Sequence, residues 1–91
     1  MRFGQAMDLC IYEGKKITNK NWNGKGMWLY YTPGHYVDIK DWDGETTDSE
    51  RLKGAVLVGG HVDMCNAKGE RIIGWLASQM DYTSDLWEIV E

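Results

Sequence analysis

The sequence predicts an α+β fold, an N-terminal helix packed on a small antiparallel β-sheet. Three observations carry that prediction. Apolar residues near the start recur at helical spacing. The pattern then changes to short strands separated by turn residues. The chain has 91 residues, which gives room for a single small domain, 1–91.

The helix comes first. Phe3, Ala6, Met7, Cys10 and Ile11 fall on one stripe of a helix over residues 3–13. Gly14 follows and suits a left-handed cap, with Lys15 and Lys16 near the negative end of the helix dipole. Residues 16–18 read as a weak strand and residues 19–26 as a glycine turn. Residues 27–31 read as a strong strand, with Trp28 and Tyr30 on one face and Met27, Leu29 and Tyr31 on the other.

Pro33-Gly34 is a turn dipeptide, and residues 36–39 are a further candidate strand. Residues 40–53 are polar and acidic and read as an exposed loop. Residues 55–58 form an apolar strand that ends at Gly59-Gly60. In residues 61–65, His61, Asp63 and Cys65 alternate with Val62 and Met64. A hairpin turn over 66–69 leads to a strand at 71–77. Residues 78–84 are a polar turn or one turn of helix, and 86–90 are the last strand. The helix should cover one sheet face and leave spare tryptophans and tyrosines on the other face or at an edge.

Composition narrows the function. Ten Lys and Arg against fourteen Asp and Glu give a net charge of −4. Long nucleic acids bind mainly through phosphate neutralisation on a basic surface. No basic stripe is visible, so nucleic-acid polymers are disfavoured, while a small anion needs only a few N–H groups and a lysine or two. Cys10 and Cys65 belong to no CxxC motif and read as buried thiols of a reducing cytoplasm. No apolar run is long enough for a membrane helix. The first residues lack an apolar signal region and are expected to belong to the fold.

The turn Lys20-Asn21-Trp22-Asn23-Gly24-Lys25-Gly26-Met27-Trp28 is the densest local signal. Glycine lets backbone N–H groups converge on an anion. Lys25 adds positive charge, and tryptophan offers a flat face with a polar edge. That combination suits a nucleotide. A hairpin turn that happens to contain lysine remains the alternative on local grounds. Trp75 and Trp87 read as at least half core, and Trp42 as exposed or covering a neighbour. Trp22 sits between asparagines, where a ligand or subunit contact is the expected use.

Catalytic constellations are weak. His61 and Asp63 share a strand face, but a zinc site needs three or four ligands, with only His35 and Cys65 to add. They read instead as hydrogen-bonding to a ligand or to neighbours. Ser78, His61 and Asp81 form a triad only on paper, without a nucleophile elbow. Asp63, Asp81 and Asp85 could supply a carboxylate pair, but nothing fixes their separation. Gly24-Lys25-Gly26 lacks the spacing of a Walker loop. The chain reads as a non-enzyme with neither cofactor nor metal.

Several segments together resemble a known family. They are Asn21-Trp22-Asn23-Gly24-Lys25-Gly26-Met27-Trp28-Leu29, His61-Val62-Asp63-Met64, Gly74-Trp75-Leu76-Ala77-Ser78-Gln79 with Asp81, and Asp85-Leu86-Trp87-Glu88-Ile89-Val90-Glu91. With the helix and Gly14-Lys15-Lys16-Ile17, they resemble the phage-encoded Thoeris anti-defence two family. Asn19 stands where members often carry arginine, Leu86 separates Asp85 from Trp87, and the resemblance leaves out residues 32–58.

The resemblance implies a sponge. In Thoeris, a TIR-domain protein makes a cyclic ADP-ribose-type signal that activates an effector. The family binds such signals without cleaving them, in the cytoplasm of the infected bacterium. It forms homotetramers with pockets between subunits, and some members hold cyclic oligonucleotides in a separate pocket.

On that reading Trp22 stacks on a base or ribose, with Met27 beside it. The N–H groups of Gly24–Gly26, with Lys25, meet the diphosphate, and Asn23 belongs to the same ligand-binding set. Ser78, Gln79 and Asp81 hydrogen-bond ribose hydroxyls or a base edge. His61 and Asp63 line the wall, and Trp75, with Trp28, shapes the pocket or its interface. A nanomolar sponge needs about −12 kcal/mol, and stacking gives about 1–3 kcal/mol per base, so several contacts must converge. The competing readings are an enzyme that degrades the same nucleotide and an aromatic protein-interaction module.

Overall fold

The computed structural model describes residues 1–22 and 25–91. Helix α1 (Phe3–Glu13) has the predicted limits and buries Ala6 and Cys10. It ends at Gly14 in a left-handed conformation, φ 67°, which a side chain would strain. Strands β1 (Ile17–Asn19), β2 (Trp28–Thr32), β5 (His61–Cys65), β6 (Arg71–Ile72) and β7 (Trp87–Ile89) build a five-stranded antiparallel sheet in the order β6-β5-β2-β1-β7.

Between β2 and β5 the chain makes an excursion. Strands β3 (His35–Asp38) and β4 (Ala55–Val58) pair only with each other, as a separate two-stranded ribbon. Gly60 lies against Tyr31 so closely that a Cβ there would overlap the Tyr31 hydroxyl.

The register decides what faces what. Leu29 pairs with Met64 and Tyr31 with Val62, on the side of α1. Ile17, Leu29 and Trp87 close over Ala6 and Cys10 to form the core. By alternation, Trp28, Tyr30, Asp63 and His61 face the other way. The predicted α+β class therefore holds, but only Trp28 and Tyr30 of the β2 aromatics face away from the helix, and Trp22, Trp75 and Trp87 pack on its side.

Two expectations need correction. Residues 40–53 are not one exposed loop. A 3₁₀ turn (Ile39–Asp41) and helix α2 (Asp48–Lys53) occupy most of it. Thr47 and Glu50 exchange side chain-to-backbone bonds as a capping box, which starts α2. The indole of Trp42 donates to the Glu45 carbonyl at 3.0 Å and covers its own loop. The strand expected over 71–77 ends at Ile72 instead. Gly74 adopts φ 83° and turns the chain. The N–H of Trp75 then donates to the Val62 carbonyl at 2.7 Å, and Trp75 packs against the core from a non-strand segment. The polar turn over 78–84 contains helix α3 (Gln79–Thr83).

Candidate functional site

Asn19 organises the site from below. It is buried, and its Oδ1 accepts the N–H of Asn21 at 2.9 Å. Its carbonyl accepts the N–H of Trp22 at 3.1 Å. This Asx-type turn lifts Trp22 off the end of β1. Opposite it stands α3, whose start is fixed by Ser78. The Ser78 hydroxyl accepts the Asp81 N–H at 3.2 Å and donates to Asp81 Oδ2 at 3.0 Å. The Ser78 N–H donates to the same oxygen at 2.8 Å.

The Trp22 indole bridges the two walls, which Ser84 at the end of α3 also joins by accepting from Asn21 Nδ2 at 3.3 Å and donating to Asn19 Oδ1 at 3.4 Å. Trp22 Nε1 donates to Asp81 Oδ1 at 3.0 Å. The Trp22 ring stands edge-to-face on Trp87 at 5.3 Å and on Trp75 at 6.3 Å. Between the walls opens a cavity of about 280 Å³ lined by Asn19, Asn21, Trp22, Ser78, Met80 and Asp81. Met80 is 72% exposed at its rim. A larger, more open depression of about 610 Å³ lies between Arg2–Gly4 at the start of α1 and residues 82–85. None of the sequence-predicted site residues lines it.

Burial works to raise the Asp81 carboxyl, but bonds from the Ser78 N–H, the Trp22 indole and the Ser78 hydroxyl outweigh it and hold it below the ordinary carboxylate range. Asp63 behaves alike. It is 1% exposed and accepts from Thr32 Oγ1 at 2.6 Å, His61 Nδ1 at 2.7 Å and the Gly74 N–H at 2.8 Å. Burial raises its carboxyl, and those bonds, aided by the His61 charge, bring it below the usual value. Burial alone pushes the Cys10 thiol up, and Cys10 and Cys65 are both buried and free.

The structure thus brings Trp22, Trp75, Ser78 and Asp81 together, with Gln79 exposed at the start of α3. His61 and Asp63 lie on the opposite face of the sheet from the Trp22 cluster within one chain. Lys25 and Gly26 are exposed, Gly26 with φ 80°, and Met27 is half-buried. Asn23 and Gly24 lie outside the described residues. Among the described residues, no three of His, Cys, Asp and Glu converge as a metal site. Nor is any helix among them long and apolar enough to cross a membrane.

Sequence reasoning missed Asn19, Asn21 and Met80 as lining residues. The asparagines preceding Trp22 were a usable signal for an Asx turn. It also missed a cationic cluster on the far sheet face. There Lys16 Nζ lies 4.5 Å and Arg71 Cζ 4.6 Å from the centre of the Trp28 ring, and Arg71 lies 5.3 Å from Tyr30. Strand pairing alone makes those residues neighbours.

Fold and site together define a small α+β module with an indole-walled cavity. The family model for the Thoeris anti-defense 2-like domain matches residues 1–90, and the chain belongs to that family. It is similar to the protein of Bacillus phage SP01 named Thoeris anti-defense 2, at 27% identity over 93 residues, covering 99% of this chain and 94% of that protein. Membership supports an anti-defence role of phage type.

Proposed function

We propose that this chain binds a cyclic ADP-ribose-type signalling nucleotide, holds it uncleaved in the host cytoplasm, and so keeps a Thoeris effector from being activated. The observation that carries the reading is the half-buried Trp22 indole, fixed by Asp81 at the wall of a cavity. A tryptophan held at a cavity wall is the kind of surface on which a base or ribose stacks. Ser78 and Gln79 hydrogen-bond the ribose or the base edge. Asn23, Gly24, Lys25 and Gly26 meet the diphosphate, and Met27 packs beside the base.

Size supports a shared site. Pockets for drug-sized ligands run from about 300 to 1,000 Å³, and this cavity holds about 280 Å³. A second subunit enlarges it in a homotetramer with pockets between subunits. The rim residue Met80 and nearby Leu76, both strongly exposed, suit that contact. His61 and Asp63 join such a pocket only across subunits, since they face away from Trp22 in their own chain.

The test is ligand recovery. The protein is incubated with a panel of cyclic ADP-ribose isomers and cyclic oligonucleotides, separated from free ligand, denatured, and the released compound is identified by mass spectrometry. Intact nucleotide, retained by the wild type and lost by Trp22→Ala, is the expected result. Accumulating cleavage products, or unchanged retention by Trp22→Ala, overturns the proposal.

A further inference from the structure

We infer that Asp81 is a positioning residue, which sets the orientation of the Trp22 ring before any ligand arrives and does not itself touch the ligand. The inference rests on the reading of Trp22 as the stacking surface. It differs from the sequence expectation, which gave Asp81 a direct hydrogen bond to the nucleotide.

The carboxylate is already occupied. Its Oδ1 accepts the Trp22 indole N–H at 3.0 Å. Its Oδ2 accepts the Ser78 N–H at 2.8 Å and hydroxyl at 3.0 Å. Only 9% of the residue is exposed. Asp81 lines the cavity, but a carboxylate offers about four lone-pair sites and the three bonds here occupy most of them. A bare carboxylate would also repel an anionic ligand, and the dipoles of the three donors offset part of that repulsion here.

The same residue anchors a second indole. The Asp81 carbonyl accepts Trp87 Nε1 at 2.9 Å, and Trp87 is the ring on which Trp22 stands edge-to-face. One residue of a five-residue helix therefore fixes the polar edges of two perpendicular tryptophans. A side chain with two rotatable bonds is thereby held in one pose. Fixing it in advance removes an ordering penalty from binding, worth about tenfold in affinity.

A double-mutant cycle tests this, using Trp22→Phe, Asp81→Asn, the pair, and the same nucleotide panel. Trp22→Phe removes the bond but leaves the Asp81–Ser78 cap of α3 intact, so it reports even if Asp81→Asn folds poorly. An amide satisfies only one side, because an NH₂ facing either Ser78 N–H or Trp22 Nε1–H opposes donor to donor. In ligand-free protein, the Trp22 indole N–H resonance, assigned by its absence in Trp22→Phe, should shift in Asp81→Asn. Each single change should weaken binding about tenfold, and the pair no more than the weaker single. A further tenfold loss on adding Asp81→Asn to Trp22→Phe would place Asp81 on the ligand and overturn the inference, while leaving the Trp22 site standing. Wild-type affinity in Trp22→Phe, or an unmoved indole resonance, overturns it too. Full retention by Trp22→Ala refutes the site reading itself.

Discussion

Replacing Asp63 by alanine should destabilise the fold by about 2–5 kcal/mol. Its two oxygens serve three donors, and those donors differ in how well they recover. Thr32 can turn its hydroxyl elsewhere. The His61 side chain is 25% exposed and can reach water. The Gly74 N–H cannot turn elsewhere, because it belongs to a turn fixed at φ 83° and is aimed at the buried carboxylate. An orphaned N–H costs about 1–3 kcal/mol, and each partly recovered bond adds about 0.5–1 kcal/mol. In a chain this short, such a loss lowers Tm by roughly 10–40 °C. Asp63→Asn keeps one oxygen for Gly74 and His61 and turns its NH₂ to the Thr32 hydroxyl, so it should cost only about 1 kcal/mol. Urea unfolding followed by tryptophan fluorescence measures both, with the midpoint moving and the slope unchanged. A loss below about 0.5 kcal/mol for alanine, or asparagine as damaging as alanine, would refute the reasoning.

Acid should unfold the protein through the same groups. The carboxyls of Asp63 and Asp81 are held below their ordinary value. The unfolded chain therefore takes up protons first as pH falls. Their contribution is complete above the unfolded value near about 3.9 and is lost as pH drops through the lower folded values. Urea midpoints at neutral pH and at about pH 5 should agree for these groups, with the fall beginning near pH 4 and shallower in Asp63→Asn. The thiols give another check. Cys10 and Cys65 are buried and free, and the Cys10 thiol is pushed up by burial, so neither should react with iodoacetamide in the folded protein and both should in urea. Rapid stoichiometric labelling of Cys10 under native conditions would contradict the packing of α1.

Local signals carried the sequence reading well where one element decides its own limits. The stripe from Phe3 to Ile11 and the stop at Gly14 fix α1 without reference to anything distant. The alternation from His61 to Cys65 matches β5 for the same reason. The segment over 71–77 reads as a long strand because its composition is that of one. A positive φ at Gly74 and a bond to Val62 end it, and only tertiary pairing selects them. The Thr47-to-Glu50 spacing was a readable start for α2, hidden by the acidity of its surroundings. At the site, Trp22 and Ser78 are visible as unusual residues in polar turns. Their meeting through Asp81 spans 59 positions, and no periodicity reports such a contact. The pairing of Lys16 and Arg71 around Trp28 is hidden likewise.

The position of β7 has a consequence for how the protein is made. Asn19 of β1 pairs with Trp87 of β7, so one flank of β1 waits until that far strand has been synthesised. At about 5–20 residues per second, the 68 residues from Lys20 to Trp87 take about 3–14 s. For that time Ile17 and Leu29 lack the indole that seals them against α1. The helix and the β1–β2 pair can form on the ribosome, but the core cannot close there until Trp87 has emerged. A message truncated before that codon yields a chain with an open sheet edge and an exposed apolar floor, suited to chaperones and proteases rather than to binding anything.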